Sequence, residues 1–386
     1  MKVEAVEGTP VTPNFFTPLV SESIKTVLNL TADRRMKGLD WKSDDVLRGI
    51  RKHEGEIVLF ADPDALGHVL NMTFKKGTTN GSAGDGYTHP FTPEASKSYT
   101  IEIQKGPYAQ RYFGVKADSL KLSFVDGKLQ ANVSVKAMGQ FSVATLASAL
   151  TGAGMTAAVF DSKYDIKPTA GLVAGDVIVV GGVEVTLLTV AADGITVTFA
   201  STAITAAVGA PVYLKAQTPS YSSLQPPMYQ GNALVGVGVD STAATTAAAS
   251  KTTATGMYEL AIDIKNNLMD APASGSQDPL KLIAQTKEAQ LTLSRVFEGV
   301  AQHQAWLDAT KQAITMVVRG GFIKTDFTTW ELLTIKFYKV KLTANDEPLT
   351  VGELIFDKQT MEALYDSGDA KAMSIDIINR TAGTSY

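Results

Sequence analysis

Alternation of apolar and polar positions dominates this chain and comes in blocks that predict strands. Tyr99, Ile101 and Ile103 alternate with polar neighbours, then Leu120, Leu122 and Phe124, then Leu129, Ala131, Val133 and Val135. The residues between them, such as Glu102, Lys121, Ser123, Asn132, Ser134 and Lys136, are polar. Each strand therefore turns one face to a core and the other to water or to another subunit. Asp126-Gly127 is a hairpin signal between the last two. The pattern returns at Leu260, Ile262 and Ile264, at Ile314, Met316 and Val318, and at Leu333, Ile335 and Phe337. Its phase then shifts to Val340 and Leu342, the mark of a bulge or bend. Ile24 to Leu30 predicts an early strand and 373–378 a late one.

A strand, short helix and strand are spelled twice. The first copy covers 55–60, 62–70 and 98–106, the second 289–297, 300–307 and 312–320. Asp62 as N-cap with Pro63 behind it is a strong helix start, and Leu66, Val69 and Leu70 give one narrow apolar stripe. Further short helices are expected at 43–50, where Ser43 and Asp44 are plausible caps, and at 357–365, the clearest mismatch between the copies. Glycine and proline mark 75–93 and 271–278 as loops, and the Thr/Ala-rich stretch 241–255 reads as a mobile loop. From about 150 to 225 charge falls and short Val-rich strands crowd together between tight turns. The expected organisation is a first β domain with an N-terminal arm over 1–149, a small inserted all-β domain over 150–225, and a second, similar β domain over 226–386.

Composition narrows the function. With 386 residues, 45% hydrophobic and 19% charged, the chain is long enough for two or three domains and too apolar for wholesale disorder. A net charge of −4 offers no basic field for gripping nucleic acid. The absence of cysteine removes disulfides, thiol catalysis and Cys-ligated zinc. The first residues lack the apolar stretch of a secretory signal, and no apolar run approaches membrane-spanning length, so neither export nor a membrane is expected.

Four histidines, His53, His68, His89 and His303, show no metal-ligand spacing; His68 and His303 fit a core position beside a sheet. The glycine-rich stretch 77–86 follows Lys75 and Lys76 where a phosphate loop would place its lysine last, so it reads as a protruding loop. No catalytic, cofactor or metal set emerges, and an enzyme is not expected. What remains is assembly. Two similar units in order suggest a ring in which each chain fills two positions, with Gly77, Asn80, Gly81, Gly84, Asp85 and Gly86 as the candidate contact loop between successive rings and Phe15 and Phe16, on a proline-rich arm, as candidate arm contacts.

The stretch Arg111-Tyr-Phe-Gly-Val-Lys-Ala-Asp-Ser-Leu-Lys-Leu-Ser-Phe124, followed by the strand at 129–138, resembles the aromatic-Gly-x-x-x-x-Ser-Leu segment of tail tube proteins of long-tailed phages (siphophages). The acidic, Pro-bearing approach to the first helix and Tyr87-Thr-His89-x-Phe91 add to the likeness, which covers about 20–140 closely and 256–380 loosely, with 150–225 outside it. The resemblance implies a mainly β sandwich or barrel with a short flanking helix, here duplicated. It implies rings stacked into a hollow virion tail tube, assembled in the host cytoplasm, through which DNA leaves without sequence-specific binding. The implied ring is a trimer with pseudo-sixfold symmetry or a hexamer, with a tape measure protein, tail terminator and distal tail proteins as partners. The inserted domain would decorate the outside. The alternative class is a β-rich cell-surface adhesin.

Overall fold

The computed structural model describes residues 1–32, 46–163, 167–221, 225–249, 259–272, 277–296, 304, 307–324, 329–346, 356–382 and 386. The alternating segments become strands, and the chain is mainly β. The first half runs β1 (Lys2–Val3), β2 (Ser21–Glu22), β3 (Lys25–Ala32), β4 (Val46–Phe60), α1 (Pro63–Thr73), β5 (Lys75–Lys76), β6 (Asn80–Ser82), β7 (Gly86–Thr92), β8 (Tyr99–Lys105), β9 (Tyr108–Val125), β10 (Lys128–Ala137) and β11 (Gly139–Phe141). Asp126 and Gly127 both take positive φ, which a two-residue hairpin needs to match the twist of its strands. The long β9 serves two sheets. Its first part pairs with β8 and β11, its second with β10, and β10 leads on to β4 and β3.

The start of α1 follows the sequence. The Asp62 carboxylate accepts from the backbone N–H of Asp64 and Ala65 at 3.1 and 2.8 Å, and Pro63 needs no partner there. The expected narrow stripe is corrected: every residue of α1 except Asp64 is buried. The helix lies between strands of both halves, so its polar side is covered too. Burial moves His68 down to about 3, which keeps its imidazole neutral against Phe15 and Tyr99.

Between the halves, β12 (Val143–Thr145), β13 (Met155–Val159), β14 (Val177–Val180), β15 (Val183–Val190), β16 (Thr196–Thr202) and β17 (Pro211–Leu214) form a separate six-stranded sheet in the order 12-17-14-15-16-13. It closes on its own core, including Phe160, Ile178, Leu187, Val197 and Phe199. One buried side chain fastens it to the first half. Arg111 on β9 donates to both Asp176 oxygens at 2.5 and 2.9 Å, to Glu102 at 3.0 and 3.2 Å, and to the Gly171 carbonyl at 3.1 Å. A planar guanidinium with two carboxylates and a carbonyl around it keeps its charge despite burial.

The second half runs β18 (Ala233–Gly238), α2 (Ser241–Ala248), β19 (Glu259–Lys265), β20 (Leu268–Ala271), β21 (Lys281–Ala284), β22 (Glu288–Val296), β23 (Lys311–Phe322), β24 (Trp330–Asp346), β25 (Phe356–Ala363) and β26 (Met373–Asn379). Its pairings follow the order of the first half. β1–β8–β9–β11 corresponds to β18–β23–β24–β26, and β3–β4–β10–β9 to β19–β22–β25–β24. The bulges correspond as well. Phe113 and Gly114 face one residue of β8, as Tyr338 and Lys339 face one of β23. Asp118 is the extra residue against β10, as Thr343 is against β25, each five positions farther on. The phase shift read at Val340 sits at the first of these bulges.

Four expectations are corrected. The helix over 43–50 is strand from Val46 onward, held by β3, and 33–45 lie outside the described residues. The loop at 75–93 holds β5, β6 and β7, because β7 finds its partner in the remote β26. The helix over 357–365 is β25: its inward residues include Asp357 and Gln359, whose polarity hides the alternation until Arg295 pairs with Asp357 at 3.1 Å. The strand removes the mismatch between halves. The mobile loop at 241–255 begins as α2, capped by Asp240 at 2.8 Å from the Ala243 N–H. Thr245 and Thr246 bond back to carbonyls four residues earlier, and Ala244 and Ala248 are buried. The second short helix at 300–307, with His303 and Trp306, falls largely outside the described residues.

Glycine explains why an alanine helix holds. A Cβ on Gly236 or Gly238 of β18 would come within 2.0 and 2.5 Å of the α2 backbone. Gly236→Val should therefore lower stability by about 1–3 kcal/mol, read from the denaturant midpoint. Arg111→Ala leaves Asp176 and Glu102 facing each other without a cation and should cost about 3–5 kcal/mol in the same measurement, with Arg111→Lys rescuing only part because it lacks the fork.

Candidate assembly interface

Inside the chain one sheet edge is already joined to another. β9 pairs antiparallel with β19, from Ser119 opposite Lys265 to Ser123 opposite Ala261. Leu120, Leu122, Ile262 and Ile264 on the inner face are buried in a core that both halves share. Asn266 extends the joint: its N–H donates to the Asp118 carbonyl at 2.7 Å, and its side chain donates to Ala117 and Thr73 carbonyls at 2.8 and 3.1 Å. Lys287 reaches the Glu94 carbonyl at 2.6 Å, and burial lowers its ammonium to about 8. Around the back, β26 pairs with β7. The hairpin of β3 and β4 is tied across as well. Arg51 grips Asp278 at 2.6 and 2.7 Å and His53 adds a contact at 3.1 Å. Burial alone would raise Asp278, but these hydrogen bonds hold it below its ordinary value.

The joint makes a continuous sheet, β3–β4–β10–β9–β19–β22–β25–β24. On the face away from the core, Asn132, Lys121, Asp263, Gln290, Glu362 and Lys341 stand opposite one another in one register row across six strands. The row holds two cations and two anions. Such a face has little net field.

The two ends of that sheet are edges. Among the described residues, β3 pairs with β4 alone, and beyond Leu342 the end of β24 pairs with β25 alone. An open edge with unpaired backbone groups invites another chain. On β3 it also carries apolar side chains: Leu28 is 47% and Leu30 54% exposed.

The sequence-chosen contact residues lie elsewhere. Gly77, Asn80, Gly81, Gly84 and Asp85 are exposed around β6, and Gly86 is buried at the start of β7, where a Cβ would lie 2.5 Å from Ile323. Asp85 pairs with Lys324 of the second half, and Thr79 meets His89 at 3.0 Å. This hairpin is thus tied to the joint between halves. Phe15 and Phe16 are half-buried on their own half and line an open groove of about 280 Å³, and the Phe15 ring lies 4.3 Å from that of His68. Sequence reading missed the β9–β19 joint, the β3 and β24 edges and the Arg111 clamp. The available signal was the pair of alternating leucines at 28 and 30, on a stretch that the sequence already marks as a strand.

An internal edge-to-edge joint, with strands that among the described residues pair on one side only, marks a β protein of the kind that associates through its sheets. A phage tail tube protein family profile matches residues 1–199, more than half of the chain, and the chain belongs to that family. It is a structural protein of the virion tail that assembles with itself into a tube. The match runs into the segment left outside the sequence resemblance and stops before the second half. No curated protein matches the chain in sequence.

Glu331 on β24 is fully buried where the second half meets the cap of α1, with the Gly321 N–H at 3.2 Å and Arg380 at 3.4 Å. Burial raises its carboxyl from 4.5 to about 7. A raised carboxyl favours the protonated fold, so stability is lost as pH climbs from the unfolded value through about 7. Glu331→Gln cannot ionise. Relative to the wild type it should gain about 1–2 kcal/mol between about pH 5 and pH 8 in thermal unfolding, and a flat difference would contradict the assignment.

Proposed function

We propose that each half of the chain occupies one place in a ring, so that three chains make a pseudo-sixfold ring and stacked rings make the tail tube through which DNA is ejected. The observation that carries this is the repeated pairing order, bulges included, joined edge to edge by β9 and β19. Two equivalent units already placed side by side in one sheet are a segment of a larger closed sheet. The polar row with Lys121, Asp263, Glu362 and Lys341 faces the channel, where balanced charge lets a phosphate backbone slide, since binding grows steeply with each uncompensated Lys or Arg contact. The division is the first unit expected over 1–149, ending at β11 because β12 (Val143–Thr145) already belongs to the inserted sheet, then an insertion through about 225 outside the tube, and a second unit over 226–386.

The loop Gly77, Asn80, Gly81, Gly84, Asp85 and Gly86, exposed but for Gly86, serves contacts between successive rings, and Phe15 and Phe16 position the arm. Assembly takes place in the host cytoplasm, with tape measure, terminator and distal tail proteins at the ends. Among the described residues nothing favours the adhesin alternative, and no convergent polar set supports catalysis.

The purified protein, concentrated and imaged by negative stain, should show hollow rings or tubes, with native mass measurement giving three chains per ring. Six chains per ring would refute two places per chain. Persistent monomers at every concentration would refute the ring.

A further inference from the structure

The internal joint is a template for the joint between chains. Superposing the pairing maps through their bulges makes Asp118 equivalent to Thr343, and hence Ser119, Leu120 and Lys121 equivalent to Ala344, Asn345 and Asp346. On the other side, β4 and β22 make Ile24 equivalent to Ile262, so Lys25 corresponds to Asp263 and Thr26 to Ile264. Inside the chain the β9 end and β19 are paired. Their counterparts, the β24 end and β3, each pair on one side only among the described residues.

We propose that rings close by antiparallel pairing of the β24 end of one chain with β3 of the next, in the register that β9 and β19 use internally. This rests on the ring reading above and names its seam. Lys25 then stands opposite Asp346, Thr26 opposite Asn345 and Val27 opposite Ala344. The chemistry of the edges fits this partner. Inside the chain Lys121 of the β9 side faces Asp263; across the seam Asp346 of the β24 side faces Lys25, the same opposite-charge pair with its signs exchanged. Both Lys25 and Asp346 are exposed in the single chain. Opposite charges in that position attract and like charges repel, so the seam also selects its partner edge.

Backbone parity agrees. The Ser23 N–H donates to the Glu56 carbonyl at 2.9 Å, so odd residues of β3 bond inward to β4 and the even ones point to the open edge. Ile24 is already served there, with its carbonyl accepting from the Tyr112 hydroxyl at 3.1 Å. Thr26 and Leu28 are left for the neighbour. Leu28 corresponds to Asn266, whose N–H donates to the Asp118 carbonyl, so the Leu28 N–H meets the Thr343 carbonyl. The exposed Leu28 side chain is then covered beside Leu342, which gives an apolar edge residue a reason to be where it is.

The test uses the absence of native cysteine. Lys25 and Asp346 would be a non-hydrogen-bonded cross-strand pair, with Cα atoms about 4.5 Å apart, within disulfide reach. The double variant Lys25→Cys/Asp346→Cys, oxidised under ring-forming conditions, should give disulfide-linked dimers and closed trimers on a non-reducing gel. Lys121→Cys/Asp263→Cys, the equivalent pair inside one chain, is the control and should close within the monomer. Separately, Lys25→Asp or Asp346→Lys alone should raise the concentration needed for rings roughly fivefold, and the two together should restore it. If rings form and the control closes but no chains become linked and charge reversal has no effect, the seam is refuted while the ring stands. If the wild type forms no rings at all, the ring reading fails and the seam with it.

Discussion

Everything in this structure depends on how sheet edges are satisfied. A strand edge presents backbone N–H and C=O groups that must find partners, and a sandwich of separate strands has edges to spare. Here β9 and β19 resolve one such problem within the chain and fuse two similar units into one sheet with one core. At the extremes, β3 and the end of β24 pair on one side only among the described residues. A monomer with such edges is incomplete in the way a tube subunit must be.

Membership in the tail tube family rests on the first 199 residues, and the second half lies beyond that match. Its relation to the first half is carried by backbone geometry. Side chains at equivalent positions differ: Gly114 corresponds to Lys339, Leu120 to Asn345 and Lys121 to Asp346. Pairing order and bulges persist because each is set by backbone hydrogen bonds and twist, which many side chains can serve. This is why the likeness of the halves is only loosely legible as sequence, whereas their pairing order can be compared strand by strand.

What sequence reading recovered was local. Asp62 and Pro63 announce α1 because a cap acts within one turn, and Asp126-Gly127 announces its hairpin because a two-residue turn needs positive φ. The misses share a cause. β7 is a strand because β26 lies beside it, and β25 hides its period behind inward Asp357 and Gln359. α2 is stable because Gly236 and Gly238 let its small side chains approach closely. Each depends on a partner remote in sequence. The candidate contact loop and arm are marked by local glycine and proline content, whereas the one-sided pairing of β3 and of the β24 end among the described residues is a property of the tertiary structure.

By itself the sequence determined a mainly β chain, a capped first helix and the places of most strands, because period and turn chemistry are local properties. Only the tertiary structure decided that the two halves share one sheet, that Arg111 clamps the inserted sheet with two carboxylates, and which strands stay unpaired. Pairing is a choice among distant edges, and that choice is made by register, twist and burial acting together across the whole fold.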